Sequence, residues 1–345
     1  MVITGHAVNM IARGNHNAPF VATGSLTWDF LAIIKAVVIS ATTIFVMVSG
    51  IFFLSPNRPV TPKRIWKKNI FKLAAAYFIW CWIYQIYYML YKGEALTFYK
   101  VIYEGILNQP LHLWYIPMLI GLYVIAPFLR LITKQADMKL YKYGIIILTA
   151  ALAINTLRYF PDLADYETIV YFVSKTPAPE VACYAAIYIF GYYLYTYRPG
   201  DRMRRMIYIF GIVAVIIAAG FCIYTASDTN SFDSWGKHFF GKLTITSFMK
   251  NTAITLFIIT VFQKVDLKGI GKAILVKLSN ATLIIYLSHI IFLEMTFRSG
   301  IFYGWGINTA VMSIFHSTIV FLMGFAVAFV FQLVPWKKLW NRLMP

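Results

Sequence analysis

Apolar residues gather into long runs separated by short polar and basic stretches, and each run approaches the roughly 20 residues that a helix needs to cross a bilayer. The charge-poor runs are Phe30–Leu54, Leu73–Tyr91, Leu113–Leu131, Tyr143–Leu157, Val181–Tyr197, Met206–Ala226, Ser247–Gln263, Leu278–Met295 and Ile307–Val334. Before them stands Met1–Ala12, apolar and uncharged but too short to cross. The pattern predicts an all-α, polytopic membrane helix bundle of about ten transmembrane helices, the first of them N-terminally incomplete in this chain. No Ser/Gly-rich linker and no repeat at a fixed period breaks the series, so residues 1–345 read as a single integral-membrane domain.

Composition removes the soluble alternative. Of the 345 residues, 60% are hydrophobic, 18% aromatic and only 13% charged, which is far more apolar than a soluble domain. The formal charge of +18 would suit a nucleic-acid binder, but the charges lie at the ends of the runs and not on one soluble face, so no nucleic-acid partner is expected. With the loops taken as alternating, about two thirds of the 31 Lys and Arg residues fall on one side, where Arg58 to Lys72, Arg130 to Lys142, Arg198 to Arg205 and Lys264 to Lys277 cluster. The other side holds Arg13, Lys92, Lys100, Arg158, Lys175, Lys237, Lys242, Lys250 and Arg298. Basic residues accumulate in cytoplasmic loops. The richer side is therefore read as cytoplasmic, the first helix as running outward, and both termini of the complete, multi-pass cell-membrane protein as cytoplasmic.

Few residues offer chemistry inside such a bundle. Ionisable groups at membrane depth usually face a polar interior, and His6 is the first of them, with Asn9 one turn later on the same face. An imidazole there suits proton transfer, with Asn9 orienting the ring; the plainer reading is an interfacial histidine packed near the outer rim. His289 follows Tyr286 by three residues, so a phenol and an imidazole share a face, for support of a site or for structural hydrogen bonding. His316 has no such companion and reads as structural. From Lys63 onward a helix would place Arg64, Lys68 and Lys72 on one stripe, with Lys63 and Lys67 beside it. That stripe suits phosphate groups or the anionic lipid that basic juxtamembrane segments commonly meet. Lys35 lies inside the first full run, either snorkelling or paired with an acid such as Glu294. Cys81, Cys183 and Cys222 lack metal-ligand spacing, so no metal is expected. No phosphate-binding loop or nucleophile elbow is present.

Several segments, taken in order, resemble the acyltransferase 3 family of integral-membrane acyltransferases. Ile3-Thr4-Gly5-His6 is similar to the end of that family's first helix, which closes on a histidine. Phe45-Val46-Met47-Val48-Ser49-Gly50 resembles its second-helix motif, and Lys67 to Trp80 its basic third-helix entry followed by aromatics. His112-Leu113-Trp114-Tyr115-Ile116-Pro117, continuing through Gly121, Tyr123 and Pro127 to Arg130, gives the fullest correspondence, and Ser279 to His289 resembles the family's serine, Ile-Tyr and histidine signature. The branch resembled is that of bacterial O-acetyltransferases acting on surface glycans.

The resemblance implies an acyltransferase that takes an acetyl or other short acyl group from cytoplasmic acyl-CoA, usually acetyl-CoA, and delivers it to a hydroxyl of an exported or lipid-linked glycan. By position, His6 would be the catalytic histidine, supported by Asn9, Tyr286 and His289. Arg64, Lys67, Lys68 and Lys72 would meet the coenzyme's phosphates, and Trp114 and Tyr115 the acceptor substrate. The family's third-helix arginines are mostly lysines here, and its first-helix arginine, eleven residues before the histidine, would fall upstream of Met1. Two other classes share the span pattern: a transporter or flippase of lipid-linked sugars, and a non-catalytic member of a polysaccharide-export complex.

Overall fold

The computed structural model describes residues 1–14, 21–55, 61–157, 178–229, 243–265, 268–301 and 308–333. Its elements are helical throughout, with no strand among the described residues. The principal helices are α1 (Val2–Arg13), α2 (Leu26–Val38), α3 (Thr42–Leu54), α4 (Phe71–Lys92), α5 (Tyr115–Gln135), α6 (Met138–Leu157), α7 (Ala178–Thr196), α8 (Asp201–Thr229), α9 (Ile245–Lys264), α10 (Gly269–Arg298) and α11 (Thr309–Leu333).

Among the described residues, eight helices are long and apolar enough to cross a membrane, α2 and α3 counting together as Leu26–Leu54. The protein is thus a polytopic membrane helix bundle. The count differs from the expected ten at two places. Helix α1 has 12 residues. Helix α7 carries Tyr184, Tyr188, Tyr192, Tyr193 and Tyr195, which lower its hydropathy, and Tyr184, Tyr188 and Tyr192 are buried in protein. A helix enclosed by other helices need not present hydrocarbon on every face, so its run is less apolar than that of a lipid-facing span.

The chain forms two compact units. One comprises Ile3–Leu31 with Val265–Pro345, the other Ala32–Lys264. In the first, α1 lies against α10 and α11. Ile3 packs with Ala281, Ile285 and Ala328, and Ile11 with Phe297 and Met312. The contacts climb α10 as they climb α1, so these two helices run parallel. Gly324 lets α11 come close to α10, since a Cβ there would stand 3.3 Å from Ile285 Cα and Ser288 Oγ.

The second unit is organised around an interruption. The run expected as one span from Phe30 to Leu54 breaks between α2 and α3, where Ser40 takes the left-handed conformation at φ 60°. A break inside a membrane protein frees carbonyls that lipid cannot satisfy. Lys250 Nζ donates to the Ala36 and Ile39 carbonyls at 3.0 and 2.5 Å, and Asn251 Nδ2 donates to the Ser40 carbonyl at 2.9 Å. Ser247 Oγ meets Ser40 Oγ at 3.3 Å. Lys250, placed by the charge pattern among outer-loop residues, is instead buried within α9 at 4% exposure. The other end of α3 is closed in the same manner, Arg130 Nη1 donating to the Phe53 and Ser55 carbonyls at 2.8 Å each.

Helices α3 and α7 cross at two glycines. A Cβ on Gly50 would overlap the Tyr188 carbonyl, and one on Gly191 would overlap the Met47 backbone, so each helix offers a bare backbone to its neighbour. The segment after α4 turns back along it. Trp82 Nε1 donates to the Ile102 carbonyl at 3.3 Å, and Gly105 sits where a Cβ would meet the Trp82 ring and Gln85. Tyr77 hydrogen-bonds Gln109.

Candidate active site

The first unit brings three of the expected residues together. His6 is half-buried on α1, while Ala7, Val8, Ile11 and Ala12 form the face that packs into the unit. Its ring centroid lies 5.3 Å from that of His289, with the planes inclined at 51°. The Tyr286 ring centroid lies 5.6 Å from that of His289. The pairing follows from helix geometry: α1 and α10 run parallel, so their histidines meet when Ile3 reaches Ile285 and Ile11 reaches Phe297. Asn9, also half-buried, lies one turn further along α1.

His289 is fully enclosed at 0% exposure. Its Nδ1 lies 2.5 Å from the Tyr286 carbonyl oxygen. A carbonyl only accepts, so Nδ1 carries the proton and Nε2 holds the lone pair of the neutral ring. The main chain of α10 thereby sets the tautomer of the histidine that faces His6. At the C-terminal end of α10, Arg298 and Glu294 form an i,i+4 ion pair at 3.2 Å. The acid offered as a partner for Lys35 is thus engaged on its own helix.

The basic stripe belongs to the second unit. Thr61 opens it as an N-cap, its Oγ1 accepting from Arg64 N at 3.3 Å, with Pro62 in the first helical turn. Between Ile65 and Ile70 the backbone widens into a π turn, closed by the Phe71 N–H on the Trp66 carbonyl. In an α-helix each i, i+4 step drifts by about 40° around the axis, because a turn takes about 3.6 residues. The wider turn removes part of that drift, so Arg64, Lys68 and Lys72 line up more closely than an unbroken α-helix would allow. These three, with Lys63 and Lys67, are exposed, while Ile65, Ile70 and Leu73 face inward.

Trp114 and Tyr115 also lie in the second unit. Tyr115 is buried with its ring 6.4 Å from Phe45, and Trp114 is half-buried with its ring 5.9 Å from Tyr184. Both close the short turn Leu111–Trp114 onto the top of α5. His112, next to them, meets the Tyr84 ring edge-on at 4.8 Å.

Sequence reasoning passed over Lys250 and Asn251. The signal was present as two strongly polar residues inside an apolar run, followed by Thr252 and Thr255. Arg130 was noted within a motif, without its part in closing α3.

A comparison with protein-family models matches residues 1–333 to the acyltransferase 3 model, described as an acyltransferase domain. Among curated proteins and among solved structures no match was found. With a family match over nearly its full length and, among the described residues, eight helices long and apolar enough to cross a membrane, this chain belongs to the acyltransferase 3 family and is a membrane acyltransferase.

Proposed function

We propose that the protein is an O-acyltransferase, moving an acetyl or other short acyl group from cytoplasmic acyl-CoA to a hydroxyl of an exported or lipid-linked cell-surface glycan, with His6 as general base. The observation that carries this reading is the His6–His289 pair on two parallel helices. If the lysine-bearing start of α10 is cytoplasmic, then α1 runs outward, in line with its charge pattern. His289 then stands twelve residues beyond Lys277, about 18 Å at 1.5 Å per residue, past the middle of a hydrocarbon core about 30 Å thick. A histidine at that depth suits a donor arriving from one face and an acceptor from the other.

His6 takes the proton of the acceptor hydroxyl as its oxygen attacks the thioester carbonyl. The tetrahedral intermediate collapses by breaking the C–S bond, and the thiolate leaving group recovers the proton from the imidazolium. His289, its tautomer set by the Tyr286 carbonyl, holds the His6 ring in orientation, and Asn9 contributes from the next turn. Arg64, Lys67, Lys68 and Lys72 offer exposed positive charge for the phosphates of the donor. By their place in the family motif, Trp114 and Tyr115 are assigned to the acceptor.

Membranes carrying the protein, incubated with radiolabelled acetyl-CoA, are expected to accumulate alkali-labile label in the glycan fraction above a vector control. Glycan labelling equal to that control contradicts the reading.

A further inference from the structure

Two rings on separate helices stay in register only if something fixes one helix against the other. Along α1 the apolar contacts are few: Ile3 on Ala281, Ile285 and Ala328, and Ile11 on Phe297 and Met312. Such surfaces exclude lipid but discriminate poorly among sliding positions. Within a bilayer, close packing and interhelical hydrogen bonds decide which position is kept.

Helix α11 supplies both bonds from adjacent residues. His316, 2% exposed, places Nε2 2.5 Å from Thr296 Oγ1 on α10. The Thr296 hydroxyl proton is already directed at the Phe292 carbonyl at 2.6 Å, so the imidazole is the donor and Nε2 carries its proton. The next residue, Ser317, accepts at Oγ from Thr4 Oγ1 on α1 at 3.2 Å, while its own proton goes to the Ile314 carbonyl at 2.8 Å. The Thr296 proton goes to the main chain of α10, at the Phe292 and more distant Leu293 carbonyls, and the Ser317 proton to the main chain of α11, so each hydroxyl oxygen is left to accept from the neighbouring helix.

The leverage falls on the histidine pair. Thr4 precedes His6 by two residues, about 3 Å along α1, and Thr296 follows His289 by seven, about 10 Å along α10. One straight stretch of α11 thus grips α1 just before His6 and α10 two turns after His289. A one-residue slip of either helix would turn its histidine by about 100°, taking the rings out of the 5.3 Å approach.

We propose that His316 and Ser317 are positioning residues for acyl transfer, setting the register of α1 against α10 and with it the approach of His6 to His289. This rests on the reading of His6 as the base. Misplacement of a catalytic group by about 1 Å can cost about a hundredfold in rate. Thr296→Val and His316→Leu, in the full chain in membranes, are therefore expected to lower the maximal rate of label transfer from acetyl-CoA by at least about tenfold. The KM for acetyl-CoA is expected to stay within about twofold, because the basic stripe is untouched. His316→Gln, which keeps an N–H within reach of Thr296, is expected to restore most of the rate. Ser317→Ala tests the other grip with the loss of a single hydroxyl.

A second readout needs no turnover: the rate at which diethyl pyrocarbonate carbethoxylates His6, followed by mass spectrometry. Thr296→Val and Ser317→Ala are each expected to change that rate severalfold. Unchanged His6 reactivity in both variants overturns the proposal whatever the activity. If His6→Ala retains transfer, the base assignment fails while His6 reactivity still decides the clamp.

Discussion

His289 Nδ1 donates its hydrogen bond to the Tyr286 main-chain carbonyl, which separates two substitutions that resemble each other on paper. Tyr286→Phe leaves the carbonyl in place and is expected to retain near wild-type transfer. His289→Leu removes the ring that faces His6 and is expected to slow transfer by about tenfold or more, measured as label transferred from acetyl-CoA at saturating donor. Equal loss in both variants would give the phenol a part of its own. From sequence, Tyr286 and His289 were legible as one face of a helix, because three residues make most of a turn. That His6 faces them was not derivable from spacing, since it depends on parallel packing of helices more than 250 residues apart in the chain.

The break between α2 and α3 shows where span reading reaches its limit. An apolar run with one internal lysine looks like a continuous helix, and nothing in residues 36 to 44 is a proline or a glycine. The reason for the break lies elsewhere in the chain, in the side chains of Lys250 and Asn251 that satisfy the freed carbonyls. Lys250→Met strands two buried carbonyls and is expected to destabilise the protein by about 3–5 kcal/mol, read as a lower thermal midpoint in detergent. Lys250→Arg is expected to retain part of the stability. An unchanged midpoint for Lys250→Met would mean that the carbonyls are satisfied otherwise. The basic entry to α4 was legible as a stripe, but its π turn was not, because the closing bond from Phe71 to Trp66 is a backbone matter. Replacing Arg64, Lys68 and Lys72 together by alanine is expected to raise the KM for acetyl-CoA at least about tenfold with a smaller effect on the maximal rate, since lost binding of a non-reacting phosphate is largely uniform between ground and transition states. A change confined to the maximal rate would remove the stripe from donor binding.

Most of the bundle was legible because apolar run length is a strong signal in a membrane. The exception is the break before α3; α7 forms where the run Val181–Tyr197 was read, but its tyrosines leave it less apolar than the other spans. Orientation was read from Lys and Arg alone, and it has a direct check. A cysteine at Lys139, in the first turn of α6, is expected to resist a membrane-impermeant maleimide in intact cells, and one at Ala95, after α4, to react; the reverse pattern would invert the topology. The central claim is that one histidine on α1 handles the proton as the acyl group passes to an outward-facing hydroxyl. It is tested most directly by comparing wild type with His6→Ala in membranes given radiolabelled acetyl-CoA, at matched protein levels. Loss of general-base catalysis is expected to cut glycan labelling by about 10²–10⁴-fold, whereas equal labelling in the two would contradict it.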